Sequence, residues 1–318
     1  MEVITVERGR PSKRVYLAFV SLAVLAGPLS GYLAGTVLPT IGLGAFTGIA
    51  LSSVVAAVAL IVLSVRHGQR MLGAQQWLAL VLLLIPQWCA TAVSPLVSPL
   101  PWLHGLRWGT SLLLSLAAPL WLGLLAALDV VRLEVPRSVV AAAIAGIGAV
   151  CLVVPVDAYE IEPNQIPMFV LQTLLGIAAV ASWVFARDRL SGTTAELAAG
   201  CYLLLSTIGN AVFAVLFERE LWRGLEWRQL AAPLVLQTVV LACSWVLWFW
   251  LLQRLSLGAF GMRPLAAWLA AVIPGFAVFG FLEWRADVAV VVGVSALAIS
   301  LRAVPAEEQP VALGLGSS

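Results

Sequence analysis

Apolar stretches of membrane length recur along the chain, separated by short polar breaks. A helix needs about 20 apolar residues to cross the hydrocarbon core of a bilayer. Windows of that length predict ten helices, at 15–37, 41–65, 75–97, 108–131, 138–156, 167–186, 196–217, 229–251, 258–282 and 285–303. Prolines in SPLVSPLPW interrupt the third window, and the fourth begins near His104 and Arg107, so nine or eleven spans also fit the pattern. The expected fold class is an all-α integral membrane protein.

The pattern repeats on a larger scale. The stretch PLWLGLLAALDVVRLEVPRSVVAAAIAG, from Pro119 to Gly146, has a proline, an apolar run, a cluster led by an acid, then small and β-branched residues. The stretch PGFAVFGFLEWRADVAVVVG, from Pro274 to Gly293, has the same plan. Each proline falls inside the penultimate helix of a five-helix half, and Asp129 and Glu283 fall at the junction with the last helix. A half with an odd number of spans makes the next copy enter the membrane from the other side, so the expected architecture is two inverted five-helix repeats. That is the plan of alternating-access transporters. The expected organisation is a cytoplasmic segment at 1–14, a first repeat at 15–156, an extracytoplasmic connection at 157–166, a second repeat at 167–303 and a disordered tail at 304–318.

Composition agrees with lipid as the solvent. Hydrophobic residues make up 62% of the 318 residues and charged ones only 11%, and the mean hydropathy is +1.02. That leaves too little polar surface to cover a water-soluble globule. A net charge of +2 gives no reason to expect a nucleic-acid partner. The opening MEVITVERGRPSKR runs straight into a membrane-length helix, so no cleavable signal peptide is expected. With the first residues inside, 13 of the 18 Lys and Arg fall on the inner side, and the positive-inside rule then puts both termini in the cytoplasm of an inner-membrane protein. The discordant loop is ERELWRGLEWRQ, whose alternating charges suit a short helix lying on the outer surface. Cys89, Cys151, Cys201 and Cys243 sit in apolar runs without paired spacing and read as small hydrophobes rather than a disulfide or metal framework.

The run WVLWFWLLQRLSLGAFGMRPLAAWLAAVIPGFAVFGFLEWRADVAVVVGVSALAIS resembles the second half of the drug/metabolite transporter superfamily, EamA-like branch. The shared features are a mid-helix proline, a glutamate after an apolar run and a last helix containing glycine. AAPLWLGLLAALDVVRLEVPRSVVAAAIAGIGAVCLV resembles the end of that family's first half, with Asp129 where the pattern has Glu. The resemblance implies ten helices in two inverted bundles, cytoplasmic termini, and export or exchange of small metabolites, amino acids or drugs.

Charged residues deep in a membrane mark function by default. The windows place none there: Asp129, Glu196, Glu218 and Glu283 fall at predicted ends, and Lys13, the one lysine, precedes the first span, which argues against a retinal protein. Deep polarity is instead carried by amides and hydroxyls. Gln87 and Thr91 share a face of the third helix. Gln172 and Asn210 lie in the sixth and seventh, and Gln237, Ser244 and Trp245 follow at helical spacing on the eighth. With Trp88, Trp121 and Trp268 they form the candidate substrate-binding set, the indoles offering π faces to an aromatic ring or an organic cation. Amides and hydroxyls also tie helices together, and both readings stay open for each residue. Pro119 and Pro274 are candidate kinks for gating, and Gly27, Gly31 and Gly35 form a small-residue stripe suited to close helix packing.

The function expected is secondary transport of a small amphipathic organic solute, an amino acid, aromatic metabolite or cationic drug, by alternating access. The alternative is a membrane-embedded non-transport protein, either a lipid-handling enzyme or a receptor or scaffold. An enzyme would need a nucleophile and base, or metal ligands, within reach. His67 and His104 fall in connections on opposite predicted sides. No cofactor or metal is expected, and the partners expected are the solute and membrane lipid, with the chain a monomer or homodimer.

Overall fold

The computed structural model describes residues 12–92, 108–130, 135–222, 227–279 and 284–303, and their regular structure is entirely helical. Helix α1 (Lys13–Val24) continues through two π turns, Leu25–Leu29 and Leu33–Val37, to Leu38–Thr40. The first π turn contains Pro28, whose missing N–H cannot bond in an α ladder. There follow α2 (Ala45–Arg66), α3 (Ala74–Ala92), α4 (Trp108–Leu116), α5 (Ala118–Ala127) and α6 (Arg137–Val153). The remaining helices are α7 (Ile166–Arg189), α8 (Ala195–Phe217), α9 (Trp227–Arg254), α10 (Leu257–Gly261), α11 (Arg263–Phe279) and α12 (Trp284–Arg302).

Helix therefore occupies each of the ten windows, but fewer segments qualify as membrane spans by length and apolarity. Five do among the described residues: Ala45–Arg66, Pro163–Arg189, Ala195–Phe217, Gln229–Arg254 and Trp284–Arg302. A sixth is added if α4 and α5, bent by 47° at their break, form one crossing. Helices Ala74–Cys89, Arg137–Val153 and Leu257–Ile273 are apolar but shorter. Residues 1–11 of the expected segment 1–14, Glu283 and the tail 304–318 lie outside the described residues, and α1 already begins at Lys13.

Packing is inside-out relative to a water-soluble protein. The buried residues of α2 are Gly48, Ala50, Ser52, Ser53, Ala56, Ala57 and Ser64, whereas Val55, Val58 and Val62 on the same helix are exposed. Small residues let backbones approach where lipid offers no hydrophobic drive between helices. α8 packs closely on α2, and a side chain at Gly200 would collide with Ile61. α6 and α12 also pack together, and their Gly146 and Gly293 lie against Leu265 and Leu269 of α11. The stripe of Gly31 and Gly35, by contrast, has no neighbour within 4 Å of a built Cβ, so no helix packs into that part of the groove.

The other main pairs are α3 with α7, α2 with α9, α8 with α9, α3 with α8, α1 with α11, α1 with α9 and α5 with α7. Exchange every helix for the one five windows along and each pair except α8 with α9 maps onto a pair in the set. The chain breaks at corresponding places too. α5 opens Ala118-Pro119 after the break at Ala117, and α11 opens Arg263-Pro264 after the break at Met262. At these positions Pro119 corresponds to Pro264, whereas α11 continues through Pro274 without a break. The two breaks meet: a Cβ on Gly261 would lie 3.2 Å from the Pro119 ring.

One end of the bundle is tied by polar contacts among its connections. Gln76 Nε2 donates to Thr193 Oγ1 at 2.8 Å, Arg189 Nη1 to Gln75 Oε1 at 2.6 Å, and Gln253 Nε2 to the carbonyls of Leu190 at 3.1 Å and Thr193 at 3.0 Å. At the opposite end, Thr110 Oγ1 donates to Tyr159 O at 3.3 Å, and Glu218 at the end of α8 holds the start of α2.

Candidate functional site

Between the helices lies a cavity of about 1070 Å³, walled by α1, α2, α3, α4, α7, α8, α9 and α11. Its residues do not span the whole bundle. They are Phe46, Ile49 and Ser53 from the start of α2, Pro86 and Gln87 from the later part of α3, Ser111 and Ser115 from α4, and Ser206 and Asn210 beyond the middle of α8. The cavity thus runs from mid-bundle toward the end where Gly44, Tyr159 and Glu218 lie. Ala26 and Ser30, which bracket the Pro28 turn of α1, also face it.

Its floor is aromatic. The Tyr202 and Trp245 rings lie tilted by 38° with centroids 4.0 Å apart, and Trp248 lies 5.5 Å from Trp245. Phe260 meets Trp248 edge-on at 5.0 Å and Trp183 at 5.5 Å. Beneath these rings a continuous cluster that includes Phe249, Leu252, Leu255 and Leu257 fills the space toward the hydrogen-bonded end.

Set into this floor is Arg263. Its Cζ sits 3.8 Å from the Phe260 ring centroid and 5.0 Å from those of Trp183 and Trp248. Its Nε donates to Phe260 O at 3.0 Å, and the residue is only partly exposed, to the cavity it lines. The aromatic faces offset part of the cost of desolvating the guanidinium. Arg263 is one of the 13 Lys and Arg that the positive-inside count assigns to the inner side as part of a connection, and the structure sets it instead into the cavity floor. The signal against that was its position five residues into the window that starts at 258. Tyr202, Trp183 and Trp248 were likewise absent from the candidate set, since nothing in an apolar helix tells a floor indole from a lipid-facing one.

Of the candidate residues, five line the cavity. Gln87 accepts a hydrogen bond from the Tyr202 hydroxyl. Gln172 accepts one from Ser111 Oγ at 3.3 Å, and Asn210 Nδ2 donates to Ser206 O at 2.8 Å and Ser206 Oγ at 3.0 Å. Ser244 and Trp245 complete the group, with no partner for Ser244 Oγ among the described residues. Four lie elsewhere. Trp88 packs against Gly209, Trp121 has its Nε1 beside Gly176, and Trp268 packs beside Leu265 and Leu269. Gln237 is wholly buried between helices, and neither polar atom of its amide has a partner among the described residues. The side chains of Thr91 and Pro274 lie outside the described residues. Pro119 is buried just past the 47° bend.

No family model matches the chain, and no curated protein matches it in sequence. A solved structure, described only as the crystal structure of a protein, superposes with a TM-score of 0.63 over 92% of this chain and 99% of its own, at 18% identity. That likeness establishes a shared fold and carries nothing about activity.

Proposed function

We propose that the protein is a secondary transporter that moves a small amphipathic organic solute across the inner membrane by alternating access, in export or exchange. The observation that carries the proposal is the cavity itself. It is large enough for a metabolite of amino-acid or drug size, lies among helices from both halves of the chain, and is floored on one side by a packed apolar cluster. Helix pairing that, apart from α8 with α9, survives a shift of five windows supports ten spans in two inverted repeats. In such an arrangement a rocking motion of the halves would rebuild the same cavity toward the opposite end. The closed end is the one at which Arg66, Arg70, Arg187, Arg189, Arg254 and Arg302 cluster in the expected topology, so positive-inside orientation makes this the outward-facing state. The EamA-like sequence pattern points the same way.

The test is counterflow in proteoliposomes. Vesicles loaded with one unlabelled solute from a panel of amino acids, aromatic acids and cationic drugs should accumulate the same labelled solute transiently. Accumulation with no member of the panel, by protein shown to bind one of them, would turn the reading toward a receptor or scaffold.

A further inference from the structure

We infer that the cavity selects solutes carrying a carboxylate, held by the Arg263 guanidinium at the aromatic floor. This inference rests on reading the cavity as a solute site, and it narrows the solute class expected from sequence, which had included cationic drugs.

Arg263 is the one charged residue among the described residues that line the cavity. Among the described residues its guanidinium makes a single hydrogen bond, Nε to Phe260 O, and no carboxylate pairs with it. The rest of the guanidinium fork is therefore left for a ligand in the space it faces. An uncompensated charge in a low-dielectric site favours a ligand that brings the opposite sign, and the planar fork matches a carboxylate at two points. Three rings hold the guanidinium in place, so little side-chain freedom is lost when an anion docks.

The neighbouring surface defines the rest of the solute. Trp245, Trp248 and Tyr202 offer aromatic faces next to the cation, while Gln87, Gln172 and Asn210 stand further along the walls. An aromatic or alkyl body lying on the floor, with hydrogen-bonding groups toward the open end, matches that layout. An amine at the floor would meet a like charge, which disfavours it. The cation is also specific to one half of the chain: at the matching position after the other break stands Ala118.

The experiment is calorimetric titration of the purified full-length protein in detergent. The ligands are indole-3-propionate, phenylacetate, benzoate and octanoate, each compared with an amine of similar body, tryptamine for the indole. Carboxylates should bind at least about tenfold more tightly than the matched amines, the range expected for a hydrogen-bonded ion pair. Arg263→Gln should remove that preference, and Arg263→Lys should weaken carboxylate binding by several-fold because it keeps the charge and loses the fork. Should the glutamine variant not fold, the lysine variant carries the test. Equal or tighter amine binding, carboxylate affinity unchanged in either variant, or no carboxylate binding up to millimolar concentration would overturn the inference. Counterflow separates this outcome from the broader one: amine-only counterflow would retain transport and reject carboxylate selection, while carboxylate binding without counterflow would do the reverse.

Discussion

Removing the Glu218 carboxylate should unseat the start of α2. The residue before that helix is Gly44, which has no side chain to cap it, so the first N–H groups need another acceptor. Glu218 supplies it from 172 residues away in sequence, accepting from Phe46 N at 2.9 Å, Thr47 N at 2.7 Å and Thr47 Oγ1 at 2.8 Å. The glutamate is 7% exposed, and any side chain on Gly44 would run into its carboxyl group. Hydrogen bonds to a charged group contribute about 1.5–3 kcal/mol each. Two backbone N–H groups lose theirs in Glu218→Ala, and part of that loss is regained because a helix end can take up water. The expected destabilisation is about 3 kcal/mol. Glu218→Gln keeps one acceptor oxygen and should cost about half as much, and Thr47→Val, which loses the hydroxyl's bond to Glu218 and the one it accepts from Trp222 Nε1 at 2.9 Å, about 1–2 kcal/mol. Reversible unfolding by SDS in mixed micelles, followed by tryptophan fluorescence, would measure all three. A Glu218→Ala change below about 0.5 kcal/mol, or a glutamine variant no better than alanine, would refute the claim that this carboxylate caps α2.

Gln237→Leu should leave solute binding unaltered and raise stability by about 1 kcal/mol in the same unfolding assay, because it replaces a buried, unpartnered amide away from the cavity; lost binding would return Gln237 to the site. Gly209→Val should destabilise by about 1–3 kcal/mol, since the new side chain lands on the Trp88 ring, and a shift in the intrinsic fluorescence of Trp88, compared with a Trp88→Phe control, would report the displacement. In a cysteine-free background, Ser206→Cys and Asn210→Cys, which face the cavity, should react with a membrane-impermeant thiol reagent added outside intact cells, while Gln253→Cys at the hydrogen-bonded end should not. The opposite labelling pattern would invert the proposed orientation.

Hydropathy alone located the helices, because a segment in lipid must bond its own backbone and therefore declares itself by length and apolarity. The broken or bent ones, α1, α4 with α5 and α10 with α11, carry a proline at or beside the break, whereas α9 runs unbroken through Pro233. The spacing that pairs Pro119 with Pro274 is not the one the chain breaks follow: the breaks before Pro119 and Pro264 correspond, and α11 runs through Pro274. Periodicity put Gln237 and Trp245 on one face of α9 without telling how deep each lies between neighbours: Trp245 reaches the cavity and Gln237 is enclosed. In a helix apolar all round, the inward face is set by which neighbours have small side chains opposite, and that is a property of pairs. Arg263 shows the same limit for charge. The sequence by itself determined an all-helical chain with helices long and apolar enough for lipid, and amides within them. Only the tertiary structure decided which residues share the cavity, because turning the short α10 beneath the bundle is what brings an arginine from an apparent connection onto its aromatic floor.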